Sequence, residues 1–122
     1  MKLVLEDKAR ERRIDMEVVV DAYDEAERAM GWYYYLQDQL SFPFKARCVG
    51  KRSISPLSKG EIVEVVRMAP ESECEREMFI IVRWQKRLLA VPLAQLIEVN
   101  VDAKTKQAIG DWHYWVERGY EF

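Results

Sequence analysis

The run "MFIIVRWQKRLLAVP", Met78–Pro92, decides the fold. Two short segments rich in β-branched and aromatic residues are joined only by Gln85-Lys86, and a link that short makes an antiparallel hairpin the natural reading. Working outward, "FKARCVGKR" (Phe44–Arg52), "GEIVEVVRM" (Gly60–Met68) and "LIEV" (Leu96–Val99) have the same character. Ser55-Pro56 and Lys59-Gly60 punctuate the first long connection. "VPLAQLIEV" (Val91–Val99) reads as a strand, one tight helical turn and a final strand. Five short strands within residues 44–99 predict a small, strongly bent SH3-like β-barrel.

Helical patterns flank this segment. Ala22, Ala26, Ala29, Tyr33, Leu36 and Leu40 follow steps of three and four, which predicts a helical segment over 14–40 with one buried face. Gly31 inside it marks close packing or a bend, and Val18-Val19-Val20 fits a short strand equally well. Pro43 ends the helix, because the residue before proline avoids helical angles. At the other end, Asp102 is a plausible N-cap for a helix over 102–118, with Ala108, Trp112, Trp115 and Val116 on one face and Gly119 as its stop. The charge-dense first 13 residues are expected to fray or to dock loosely. The expected architecture is α+β, one domain over 1–122, with helices from both ends packed on the barrel.

Bulk properties narrow the function. The chain has 122 residues, 49% of them hydrophobic, with 19 basic and 21 acidic residues for a net charge of −2. Such a chain buries a real core and lacks the basic excess of a dedicated nucleic-acid binder. The absence of any apolar run near the length of a membrane span, and an N-terminus that turns charged early, predict a soluble, cytoplasmic protein. Cys48 and Cys74 form no CxxC pair and His113 is the sole histidine, so buried thiols are expected rather than a disulfide or a zinc site.

Catalysis finds little support. His113 sits in the aromatic helical phrase "DWHYW", where a packed or capping histidine is the default, and no glycine loop is built to cradle phosphate. "WYYY" and "WHYW" are expected in the core rather than on a base-stacking platform, since Asp38, Asp111, Glu117 and Glu121 beside them would repel phosphates. What stands out is "PESECEREMF", Pro70–Phe79, where Glu71, Glu73, Glu75 and Glu77 recur at every second position and Arg76 offsets only one. An extended chain would place all four on one side, opposite Cys74. A loop would let them curl around one point, and Ca2+ takes roughly 6–8 oxygen ligands from such groups. On composition alone a solvated turn is the default. Asp21, Asp24, Glu25 and Asp111 stand as candidates for a second site, with surface solvation the expected role of each.

Five phrases in order carry a family resemblance: "DEAERAMGWYYYLQDQLSFPFKARC" (Asp24–Cys48), "SPLSKGEIVEVV" (Ser55–Val66), "MAPESECEREMF" (Met68–Phe79), "RWQKRLLAVPLAQL" (Arg83–Leu96) and "DWHYWVERGYEF" (Asp111–Phe122). Together, over roughly Ile14–Phe122, the chain resembles the small bacterial calcium-binding family of CcbP-like proteins. The resemblance implies Ca2+ binding through acidic side chains without EF-hands and without an enzymatic step. The positions it marks as metal ligands are Asp38, Glu71, Glu73, Glu75 and Glu77, which requires the end of the first long helix to meet the acidic turn. It implies a buffer or sensor. An SH3-like protein-interaction module with a solvated acidic loop is the competing reading, with its protein partner unidentified.

Overall fold

A computed structural model of the chain describes residues 4–122. The elements run as helix α1 (Lys8–Arg13), a π turn (Ile14–Val18), helix α2 (Glu25–Gln39), strands β1 (Phe44–Cys48) and β2 (Ile62–Met68), and a 3-10 turn (Glu71–Glu73). There follow β3 (Phe79–Trp84), β4 (Arg87–Pro92), a second 3-10 turn (Leu93–Gln95), β5 (Leu96–Val99) and helix α3 (Ala103–Glu117). The class is α+β.

The hairpin forms where the sequence placed it. Trp84 pairs with Arg87, and the two linking residues, Gln85 and Lys86, have φ of 46° and 65°. Positive φ at both central positions matches the right-handed twist of the strands they join. Along β1 the period of two is visible, with Phe44, Ala46 and Cys48 buried between exposed Lys45 and Arg47. All neighbours are antiparallel, in the order β4-β3-β2-β1-β5.

The expected barrel closure is not seen: β4 and β5 are the edges of one open sheet. Among the described residues no ladder joins those two edges. β4 ends at Pro92, which has no N–H to continue a ladder, and the 3-10 turn Leu93–Gln95 carries the chain across the sheet, where β5 pairs with Lys45–Cys48 of β1.

The helical reading of 14–40 holds only in part. Asp21 adopts φ 58°, and Asp24 is extended, with its carboxylate accepting from the Glu27 N–H at 2.8 Å. That cap starts α2 afresh at Glu25, because a side-chain acceptor there serves a helix start better than a helix interior. Val18-Val19-Val20 is neither strand nor helix: Val18 closes the π turn, and the other two begin the connection to α2. α3 matches its expected cap and stop, with Asp102 accepting from the Thr105 N–H at 2.7 Å and Gly119 at φ 81° ending it; Ala108, Trp112 and Trp115 are buried as expected, whereas Val116 is exposed.

Of the first 13 residues, 4–13 are docked rather than frayed, and 1–3 lie outside the described residues. Asp7 caps α1 through the Arg10 N–H. Tyr114 and Tyr120 both donate to Glu11, and Arg10 and Arg13 reach Asp111 on α3 at 2.8 and 2.6 Å. The core lies between α2, α3 and the inward face of the sheet. Trp32 sits edge-on to Trp112 at 5.0 Å between ring centroids and tilts against Trp115 at 5.6 Å, while Ile80, Val82, Leu93 and Leu96 fill the sheet side. Among the described residues no helix is long and apolar enough to cross a membrane.

Candidate metal centre

The acidic turn leaves β2 at Met68 and enters β3 at Phe79. It is not extended: Glu71–Glu73 is a 3-10 turn, closed by the Cys74 N–H on the Glu71 carbonyl at 2.9 Å. Cys74 is fully buried and its Sγ accepts from the Phe79 N–H at 3.3 Å. Burial pushes the thiol pKa up, so it stays a neutral, inward anchor. Cys48 is likewise a buried free thiol. With the middle of the turn tied down, Glu71, Glu73 and Glu75 are exposed around it and Glu77 is half-buried.

Two tyrosines bring α2 to this turn. Tyr33 donates to the Ala69 carbonyl at 2.7 Å, and Tyr34 donates to the Glu71 carboxylate. That acceptor pushes the Tyr34 phenol up from its ordinary value. Asp38 stands one helical turn beyond Tyr34, on the same face of α2. It is exposed, and its carboxylate accepts only from neighbouring Gln39, at 3.0 Å. The helix end and the turn thus meet through Tyr34.

The carboxylates themselves do not converge. Among the described residues no three carboxylate, thiol or imidazole groups gather within reach of one ion. Glu77 is drawn aside by Arg52, whose guanidinium donates to it at 2.8 and 3.4 Å, and the carboxylate in turn holds the arginine above its ordinary pKa. Arg76, which the sequence set against the glutamates, makes no ion pair among the described residues. Glu73 and Glu75 have no side-chain partner there either.

Sequence reasoning missed Tyr34 and Arg52. "WYYY" was expected in the core, and Trp32, Tyr33 and Tyr35 are buried, but Tyr34 is 53% exposed. Its position two residues from Trp32, pointing the other way round the helix, was the available signal. Nothing in the sequence signals Arg52, which lies 25 residues from Glu77. Of the four second-site candidates, Asp24 is the α2 cap and Asp21 sits exposed in the turn before it. Asp111 is completely buried rather than solvated, accepting from Arg10, Arg13 and the Tyr35 hydroxyl. Glu25 lines a groove with Glu71, Glu75, Glu77 and Glu121. His113 is a packing residue whose Nε2 lies 2.6 Å from the Leu96 carbonyl.

Residues 12–116 match the model of the CcbP family, described as calcium binding. The crystal structure of Anabaena CcbP is similar at 42% identity and a TM-score of 0.88, with 100% of each chain covered. A calcium-binding protein in its calcium-binding form is similar at 41% identity and a TM-score of 0.87, again over 100% of each chain. No curated protein matches the sequence. A match over most of the chain, joined to structural likeness from end to end, places this protein: it belongs to the calcium-binding CcbP family.

Proposed function

We propose that this chain binds Ca2+ as a non-EF-hand buffer or sensor in the cytoplasm, with Asp38, Glu71, Glu73, Glu75 and Glu77 as its donors. The observation that carries the reading is the Tyr34–Glu71 contact, which sets the α2 end carrying Asp38 against the acidic turn. The relative at 41% identity that takes a calcium-binding form supports the choice of ion. The donor chemistry fits, since carboxylate oxygens and turn carbonyls are the hard ligands Ca2+ prefers. A bound Ca2+ supplies two positive charges and an irregular shell that tolerates such mixed donors. The strand order, with a 3-10 turn between β4 and β5, supports an SH3-like reading of the open sheet, and we take 1–122 as one folding unit.

What the chain's own residues must do follows from their contacts. Glu73 and Glu75 are free to turn inward. Glu77, whose two oxygens both face Arg52, must leave it before joining them, whereas Glu71 can keep one oxygen on Tyr34 and turn the other inward. Like charges at this density oppose one another's approach, so the splayed arrangement is the favoured one without a counter-charge. Closure of the turn and gain of stability are therefore the same event.

Calorimetric titration with Ca2+, with Mg2+ as control, tests the reading. Wild type is expected to give saturable Ca2+ heat and, at about 100 times Kd, roughly 2.7 kcal/mol of added stability. Glu73→Gln with Glu75→Gln is expected to weaken binding roughly tenfold or more, because affinity follows the number of charged ligands. Its metal-free melting point should barely move, as both side chains are exposed. No Ca2+ heat at millimolar metal would end the proposal. Arg52→Met should do the opposite and tighten binding several-fold by releasing Glu77. The Arg52–Glu77 pair is partly solvated, with side-chain exposures of 40% and 27%, so the variant should lose less than about 1 kcal/mol of stability. Weaker binding in that variant would instead assign Arg52 to holding the turn in shape.

A further inference from the structure

A groove of about 1090 Å3 runs between the acidic turn, the start of α2 and the end of α3. Its walls carry Glu25, Glu71, Glu75, Glu77 and Glu121, against Arg76 alone. Its floor is apolar, with half-buried Met30 and Phe122 beside Val116, which is 39% exposed. Trp112 is also part of the lining, and its indole N–H has no acceptor among the described residues. Five carboxylates drawn from three separate elements thus surround an apolar trough; Glu77 is already paired with Arg52 and Glu71 accepts from Tyr34, which leaves Glu25, Glu75 and Glu121 without a side-chain partner among the described residues.

We propose that this groove docks a short basic peptide carrying one large apolar side chain, the apolar group lying on Met30, Val116 and Phe122 and flanking lysines or arginines meeting the glutamates. Charge complementarity selects the partner. An acidic or neutral apolar segment would leave the carboxylates desolvated without a counter-charge, which costs more than burying the apolar side chain returns. A bare polycation would satisfy the rim and leave the trough wet. An anchor in a pocket with opposite charge around it is the arrangement in which the anchor supplies affinity and the charges supply selectivity and speed of encounter.

The inference goes beyond calcium binding, and its test keeps the two apart. Glu25 and Glu121 are not among the candidate metal donors, and titrations in EDTA remove metal from the outcome. The probe is a fluorescent lysine–leucine amphipathic peptide of about 14 residues, followed by anisotropy, with a glutamate–leucine peptide of the same pattern and with spermidine as controls. The lysine–leucine peptide is expected to bind, to weaken as salt rises, and to lose roughly tenfold in affinity in Glu25→Gln with Glu121→Gln. Val116→Ser should weaken it severalfold while leaving the salt dependence intact. All three positions are exposed, so the variants should keep the wild-type melting point. Equal binding of the glutamate–leucine peptide, unchanged affinity in the double variant, or displacement by spermidine at the peptide's own concentration would each overturn the proposal. Loss of Ca2+ heat with peptide binding intact would count against the metal reading and for the groove.

Discussion

Asp111→Ala is expected to lower stability by about 3 kcal/mol, a fall in melting temperature of about 10 °C for a chain of this size. Asp111 is fully buried and accepts from Arg10, from both Nε and Nη2 of Arg13, and from the Tyr35 hydroxyl at 2.7 Å. Its charge holds the Arg13 guanidinium well above the ordinary arginine value. Removing the carboxylate leaves two cations and a buried phenol facing a void. Uncompensated buried charge costs about 3–5 kcal/mol. The low end applies here because the arginines keep 31% and 21% of their side chains exposed and can partly rehydrate.

The same change should free the N-terminal segment before the rest unfolds. α1 is held through this carboxylate, through Glu11, which accepts from Tyr114 and Tyr120, and through the Asp7 N–H on the Tyr114 hydroxyl, while the π turn adds buried Ile14 and Val18. Trypsin cleavage after Arg10, Arg12 and Arg13 should therefore become fast in Asp111→Ala at temperatures where wild type resists. A second variant guards the argument: Asp111→Leu with Arg13→Met should recover part of the loss, since apolar groups of similar volume replace a buried ion pair at little cost. Wild-type melting in Asp111→Ala, with no gain in cleavage, would show that the network contributes nothing to holding the segment.

That network also shows where sequence reading stops. The strands and hairpin were legible because their signals are local: a period of two, a two-residue link, Pro56 and Gly60 at the turn. Helix α3 was legible from a cap, an apolar face and a stop within 18 residues. The N-terminal segment was misread as loose because charge density reads as solvation unless its partner is known, and Arg10 finds Asp111 across 101 positions. Asp111 itself looked like surface charge for the same reason. The expected closure of the sheet was not legible either, because the pattern of strands gives their number and sequence order but not whether the edges β4 and β5 pair. At the candidate site, the glutamates were plain from composition, and the need for α2 to meet them was stated from the resemblance. Tyr34 and Arg52, the two residues that hold Glu71 and Glu77, act across 37 and 25 positions; Tyr34 left only its place round the helix from Trp32 as a signal, and Arg52 left no local trace.

Gly31 shows the intermediate case, in which a residue signals a constraint without saying what imposes it. A Cβ built there would lie 2.3 Å from the Val18 carbonyl oxygen and 3.3 Å from its carbon. The obstacle is backbone, at the end of the π turn, so it cannot swing aside as a side chain would. Alanine favours the helix by about 1 kcal/mol over glycine, and a simple propensity argument would make Gly31→Ala stabilising. Overpacking of this kind costs typically 1–3 kcal/mol, occasionally more, and a contact this short against main chain belongs at the upper end. The expected net result is a loss of about 2 kcal/mol, the two effects opposing each other. Relief requires α2 to move away from Val18, and α2 carries Trp32 in the core and Tyr34 against the turn. Ca2+ affinity should therefore fall with stability in Gly31→Ala, although the substitution touches no candidate donor. A Gly31→Ala protein as stable as wild type would mean that the π turn yields freely and does not fix the position of α2.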